Sequence, residues 1–215
     1  SEIGYGSSDN CWINSMVVSD SIFDCNDVGI NTINLLVTDA SGNTATDNST
    51  ITVLDTFHPN AIAQNITVYL DGSGTASIAA NAVNLASNDN CGTPTLSIDL
   101  ASFDCNDAGT TQTVVLTATD ASSNTDTAHA QVTIIDSISP NAIAVDTTIY
   151  LDAFGVASVS SSEIGYLSTD NCAVDSLALS DSTFDCNEIG VNTITLTVWD
   201  VNGNVSTTSS NITIL

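Results

Sequence analysis

The triplet Asp9-Asn10-Cys11 returns as Asp89-Asn90-Cys91 and again as Asp170-Asn171-Cys172, 80 and then 81 residues further on. Two more landmarks keep that phase. Phe23-Asp24-Cys25-Asn26 matches Phe103-Asp104-Cys105-Asn106 and Phe184-Asp185-Cys186-Asn187, and a stretch ending in Asp39-Ala40-Ser41-Gly42-Asn43 matches Asp120 to Asn124 and Asp200 to Asn204. A period of this size means one small structural unit per copy, stacked on its neighbours. The seams fall at Asp55-Thr56-Phe57-His58-Pro59 and Asp136-Ser137-Ile138-Ser139-Pro140, short linkers stiffened by proline. The chain therefore reads as a partial repeat over 1–55, a complete one over 56–136 and a complete or nearly complete one over 137–215. Ser1 to Tyr5 repeats Ser162 to Tyr166, which predicts an excerpt of a longer array that starts within a copy. The first copy lacks the counterpart of Ile66 to Asp71 and Thr148 to Asp152, a strand that preceding sequence or a neighbouring chain would supply.

Within each copy the pattern is β. Ile33, Leu35 and Val37 alternate with polar residues, as do Val114, Leu116 and Ala118, and Ile194, Leu196 and Val198. Ile51/Val53, Val132/Ile134 and Ile212/Ile214 mark a closing strand in the same phase. No window carries a 3.6-residue period. About seven short strands per copy, with turns of Gly, Asn and Asp, predict an all-β fold of tandem antiparallel Ig-like β-sandwiches of about 80 residues. Ser123 stands where the other copies have Gly42 and Gly203, which predicts a different turn there.

The chain has no Lys or Arg and 25 acidic residues, all aspartate except Glu2, Glu163 and Glu188, for a net charge of -25. Without a basic footprint, nucleic acid is excluded as a partner, as is recognition of anionic lipid. No apolar run reaches 18 residues, so membrane insertion is not expected either. Lysine-based covalent chemistry and lysine–asparagine cross-links are ruled out. With no internal cation, the carboxylates must be compensated by N–H groups, water or bound metal.

Six cysteines fall into three pairs of one spacing: Cys11 and Cys25, Cys91 and Cys105, Cys172 and Cys186. Such even pairing reads as one disulfide inside each repeat, formed in an oxidising compartment. A loop of 14 positions closed in this way restricts the unfolded chain by roughly 3 kcal/mol. Free buried thiols are the bland alternative; zinc lacks its C-x2-C spacing, and no neighbouring base activates a thiol.

The acids recur in columns, and turns of Asp, Asn and carbonyl oxygen suit calcium, which takes six to eight oxygen ligands. Asp55 and Asp136 in the seams are the sharpest candidates, because an ion shared there would stiffen the array. Asp39, Asp120, Asp200, Asp24, Asp104 and Asp185 are the others. Against this stands the habit of Asp and Asn of forming turns through their own backbone. His58 and His129 have no counterparts in other copies, and no nucleophile elbow is present, so the chain is expected not to be an enzyme. Trp12 and Trp199 are expected to be at least half exposed, as a sugar-stacking or subunit contact or as local packing.

Taken together, Asp-Asn-Cys, the Phe-x-Cys-x-x-x-Gly run (Phe23 to Gly29, Phe103 to Gly109, Phe184 to Gly190) and the Asp-x-x-Gly-Asn strand end resemble the hyalin-repeat (HYR-like) Ig-type modules. These occur in tandem in large secreted adhesion and gliding proteins of Bacteroidota. The resemblance covers the whole chain and implies export, a place on the cell surface and a role in adhesion or filament building. It also implies O-glycan acceptors of the Asp-Ser/Thr type at Ser21, Thr127, Ser137, Thr147, Ser176 and Ser182. The function read from the sequence is thus a non-catalytic structural repeat of an extracellular adhesin stalk or surface filament. Its partners would be neighbouring repeats, with lateral or strand-donating self-assembly. The rival readings are a carbohydrate-binding module for surface polysaccharide, or an accessory module of a larger secreted protein.

Overall fold

The computed structural model describes residues 3–215. Among these residues fifteen strands, two short α-helical turns and two 3-10 turns follow one another. β1 (Ile13–Val18), β2 (Gly29–Asp39) and β3 (Thr44–Val53) come first. Then come β4 (Ile66–Tyr69), β5 (Thr75–Ser77), α1 (Ala80–Val83), β6 (Thr95–Ile98), β7 (Ser102–Asp104), β8 (Thr111–Thr119) and β9 (Thr125–Ile135). The same order returns as β10 (Thr147–Ile149), β11 (Val156–Ser158), α2 (Ser161–Ile164), β12 (Val174–Leu179), β13 (Thr183–Asp185), β14 (Gly190–Asp200) and β15 (Val205–Ile214). The chain forms two compact units. One takes it up to Ile62 together with Ala86–Leu96 and Thr117–Thr127; the other comprises Ala63–Leu85, Ser97–Leu116 and Ala128–Leu215.

In the second unit the last strand series shows how the sequence makes its layers. β14 and β15 pair antiparallel from Gly190↔Ile214 to Trp199↔Val205 and form the centre of the sheet β10-β15-β14-β12. A second sheet of two strands, β11-β13, carries Ala157 and Phe184. Between them lie Val159, Ile164, Phe184, Ile194, Ile212 and Ile214, with Ala144, Ile149, Leu151 and Leu179 packed at the margin. Alternation puts Ile194, Leu196 and Val198 inward at 2% exposure or less, so the period-2 pattern fixes which face is buried. α2 closes one end, with Ile164 buried and its first turn held by a capping box between Ser160 and Glu163. The preceding series repeats the arrangement, with sheets β4-β9-β8-β6 and β5-β7 and with Val83, Phe103, Val114, Leu116, Val132 and Ile134 buried.

Three details differ from the expectation. Each of these series has six strands, and a helical turn stands before the Asp-Asn-Cys segment. The sheets are mixed, since β4 pairs parallel with β9 (Ile66↔Val132) and β10 parallel with β15 (Thr147↔Ile212). At Ser123 the turn does not change: its φ of 71° matches 88° at Gly42 and 90° at Gly203, and each N–H returns to the Asp three residues before it.

In the first unit the sheet is β1-β2-β3, and among the described residues no strand lies beyond β3. Ile33 and Leu35 are buried there, whereas Val37, Ile51 and Val53 are only partly covered. The counterpart of α2 at Ser1-Glu2 lies outside the described residues.

Candidate cation sites and cross-links at the seams

Each seam begins with an aspartate just after a closing strand. The carboxylate of Asp55 takes the N–H of Phe57 at 3.1 Å, and that of Asp136 takes the N–H of Ile138 at the same distance. Such Asx turns release the chain from the strand and leave the acid facing back toward the sheet end. There the hairpin turn of the following series supplies a second carboxylate. Asp120 binds the backbone and side-chain amides of Asn124, both at 2.7 Å, while Asn124 Nδ2 also reaches the Asp55 carbonyl at 3.1 Å. Asp200, Asn204 and the Asp136 carbonyl repeat this at 2.8, 2.8 and 3.2 Å. The Asp-Asn-Cys turn supplies the third. Asp89 accepts the Cys91 N–H and Asp170 the Cys172 N–H, each at 2.8 Å and each through one oxygen only.

The result is two groups of three acids, Asp55/Asp89/Asp120 in the first unit and Asp136/Asp170/Asp200 in the second, with one oxygen of each within 4.8 Å of the others. That is well inside the ~8 Å over which physiological salt screens charge, and the chain holds no Lys or Arg to offset it. Several oxygens here are buried without a partner: Asp89 Oδ1, Asp136 Oδ2, Asp170 Oδ1, Asn171 Oδ1 and Asn202 Oδ1. Asp136 is only 5% exposed and Asp200 3%. Asn171 Nδ2 donates to Asp136 at 3.2 Å and the Asn202 N–H to Asp200 at 2.9 Å, so both amides border the second group. A buried acceptor without a donor is costly. A hard cation would satisfy these oxygens together, and all-oxygen donors suit calcium better than a transition metal. Burial pushes the Asp120 carboxyl up, but the Asn124 amides, the Ser122 N–H and nearby His58 outweigh it, and the group titrates below its ordinary range.

Of the acids singled out in the sequence, Asp55, Asp120, Asp136 and Asp200 are thus brought together. Asp24, Asp104, Asp185 and Asp39 join neither group. Asp24 and Asp185 cap the 3-10 turns Cys25–Asp27 and Cys186–Glu188 by accepting from Asn26 and Asn187. Asp104 accepts likewise from Asn106, and Asp39 holds Ser41 and Asn43. Asp89 and Asp170, which complete the two groups, belong to one of the recurring acid columns but were not singled out as candidates.

The disulfide pairing requires correction. Cys25 bonds to Cys91 and Cys105 to Cys172, with Cα separations of 5.1 and 5.3 Å, while Cys11 and Cys186 are free and exposed. The short-range pairs are prevented by the strands. Cys11 precedes β1, whose Ile13 pairs with Asp39 at the far end of β2, whereas Cys25 precedes Gly29 at its start. Eleven extended residues span roughly 35 Å, and a disulfide needs Cα atoms within about 7 Å. Cys172 and Cys186 are separated by β14 in the same way. The bridges therefore join one copy of the landmark series to the next. A loop of 66 residues restricts the unfolded chain by roughly 4 kcal/mol, more than the local loop would.

Trp12 is 67% exposed, as expected, but Trp199 is partly buried, lying opposite Ser176 and Val205 in the sheet. His58 Nδ1 donates to the Thr125 carbonyl at 3.0 Å, and His129 is exposed on β9. Ser21, Thr127, Ser137, Ser176 and Ser182 are exposed and Thr147 is partly buried. Among the described residues no helix is long and apolar enough to cross a membrane.

No protein-family model and no curated protein matches the chain. Among solved structures it is similar to cadherin domains. The protocadherin gammaB7 EC3-6 cis-dimer structure aligns at TM-score 0.34 and 12% identity over 91% of this chain and 60% of that one. Mouse clustered PcdhgC3 EC1-3 gives 0.36 and 12% over 91% and 81%. The protocadherin gammaB4 extracellular domain gives 0.39 and 12% over 91% and 39%. The chain thus spans about 60% of the length of the first of these. Scores of this size carry no weight for function.

Proposed function

We propose that the chain is a non-catalytic structural module of an extracellular adhesin stalk or surface filament. Its repeats, 1–55, 56–136 and 137–215, are joined by calcium and a disulfide at each of the two seams. The observation that carries this reading is the coincidence at Asp55 and Asp136 of three converging carboxylates, unpartnered buried oxygens and a bridge between successive copies. Stable disulfides belong to oxidising compartments, which supports a place outside the cytosol. An ion bound to the folded seam alone stabilises it by mass action, about 2.7 kcal/mol at a hundredfold excess over Kd.

The test is the thermal midpoint of the oxidised chain in EDTA and across a calcium titration at fixed ionic strength, with magnesium as the matched control. A saturable rise of several degrees, partly lost in Asp136→Asn, supports the reading. A response to calcium no larger than to magnesium sinks it. The more enclosed group at Asp136 is expected to fill first. The exposed ring of Trp12 favours a second reading, stacking on surface polysaccharide, which Trp12→Ala tests by loss of retention on immobilised glycan.

A further inference from the structure

In the second unit the turn Asp170-Asn171-Cys172 belongs to the acid group and to the disulfide at once. Asp170 takes the Cys172 N–H on Oδ2 at 2.8 Å and leaves Oδ1 buried without a partner, beside Asp136 and Asp200. Asn171 Nδ2 donates to Asp136 at 3.2 Å and to the Asp71 carbonyl at 3.3 Å. Cys172, two residues from the acid, closes the bridge to Cys105. Gly74, at a φ of 73°, packs against both: a Cβ there would stand 2.5 Å from Cys105 Sγ and 2.7 Å from the Asn171 carbonyl oxygen. Glycine alone lets the bridged turn come so close. All of these residues belong to the same compact unit.

Oxygens of three carboxylates within 4.8 Å of one another repel, and no Lys or Arg offsets them. Asp136 is 5% exposed and its Oδ2 has no donor, so water screens the repulsion poorly. The repulsion pushes Asp170 away from the group, and the bridge, with its Cα atoms 5.3 Å apart, opposes that movement. Once the bridge opens, the turn is tethered through its flanks, where Thr169 pairs with Asn141 and Val174 with Asp200, and through the Asn171 amide. A bridged turn presents Asp170 already in place. An opened one must be ordered when a cation arrives, and that ordering lowers the affinity.

We propose that the Cys105–Cys172 disulfide is a redox control on the calcium site at Asp136: closing the bridge raises the affinity for calcium, and bound calcium protects the bridge from reduction. Such control rests on the calcium reading of this group and gives it a regulator. The two effects are equal by linkage, because the factor the bridge gives to calcium affinity is the factor calcium gives to the equilibrium between bridge and dithiol. The reductant is a low-molecular-weight thiol such as glutathione. One glutathione thiolate attacks the bridge, leaving one cysteine as a mixed disulfide and the other as a thiolate. A second glutathione thiolate attacks the glutathione sulfur of that mixed disulfide, departs as glutathione disulfide and frees the second cysteine. Two electrons thus pass from two glutathiones to the two cysteines, and the two glutathione thiol protons end on the cysteine thiols.

Calcium alone is titrated calorimetrically into the full 215-residue chain, the site in question being the one that Asp136→Asn removes. Cys105→Ser with Cys172→Ser should weaken that site about tenfold and leave binding at the Asp55 group unchanged, which also reports that the chain is folded. A second measurement leaves the bridge native. A chain with Cys11→Ser and Cys186→Ser, free of the two unpaired thiols, is equilibrated in glutathione buffers and alkylated, and Cys105 and Cys172 are read by mass spectrometry. Saturating calcium should move the ratio of disulfide to dithiol about tenfold toward the disulfide relative to EDTA. Matched magnesium should move it far less, and Asp136→Asn should abolish the shift. If the serine pair does not fold, this equilibrium alone decides. Equal calcium affinity with the bridge open and closed, or a ratio that calcium does not move, overturns the proposal and leaves the calcium reading standing. An oxidised chain that binds no calcium, or a shift that magnesium equals, overturns both.

Discussion

Ser123 is the one described residue other than glycine with a positive φ, and it holds a turn that Gly42 and Gly203 hold elsewhere. A side chain in that conformation costs about 1 kcal/mol. Ser123→Gly is therefore expected to raise the unfolding free energy by somewhat less than this, since glycine also loses more entropy on folding; denaturant titration reads the change. Acid acts on other single residues. The Thr75 and Ser73 N–H groups hold the Asp71 carboxyl below its usual range, those of Ala61 and Thr127 hold Asp126, and the Ser160 N–H and hydroxyl hold Glu163. A group depressed on folding contributes stability that is fully present above its unfolded value near 4 and is lost as pH falls through the folded one. The thermal midpoint should thus fall between about pH 5 and pH 2, with a shallower fall in Glu163→Gln.

At the scale of elements, the first sheet differs from the others by what flanks β3. β9 and β15 each have a parallel strand on their outer side, while β3 has none among the described residues. An edge strand offers unpaired N–H groups to water. Outward amides of β3 are accordingly expected to exchange hydrogen much faster than the matching amides of β15, read by mass spectrometry on peptides from the two strands. A slow β3 would mean that another copy covers it. Much of this architecture was legible beforehand. Period-2 alternation identified Val114, Leu116 and Ala118 and their counterparts other than Val37 as core, and Asp55 and Asp136 stood out as seam acids. The parallel strands were not legible, because Ile66 to Tyr69 alternates in the same way whichever direction its neighbour runs. The cysteine pairing misled, since 14 positions is a short path along the chain but crosses the whole length of a strand pair. The third acid of each group was hidden for a related reason: nothing in Asp89 or Asp170 says which sheet end its turn will face.

For the molecule as a whole, placing the bridges between successive series rather than inside them changes how a pull is carried. Cys25–Cys91 and Cys105–Cys172 enclose 66 and 67 positions of chain. Traction on the two termini passes through the sulfur atoms, so everything inside those loops stays slack even if the sheets give way. At about 3.4 Å per residue the loops hold roughly 450 Å of contour length. A single-molecule stretching trace should gain that length only after a reductant is added. The oxidised chain behaves like a tether with a built-in stop: a yielding domain costs it little reach, and the unravelled segment stays beside the partners with which it can refold.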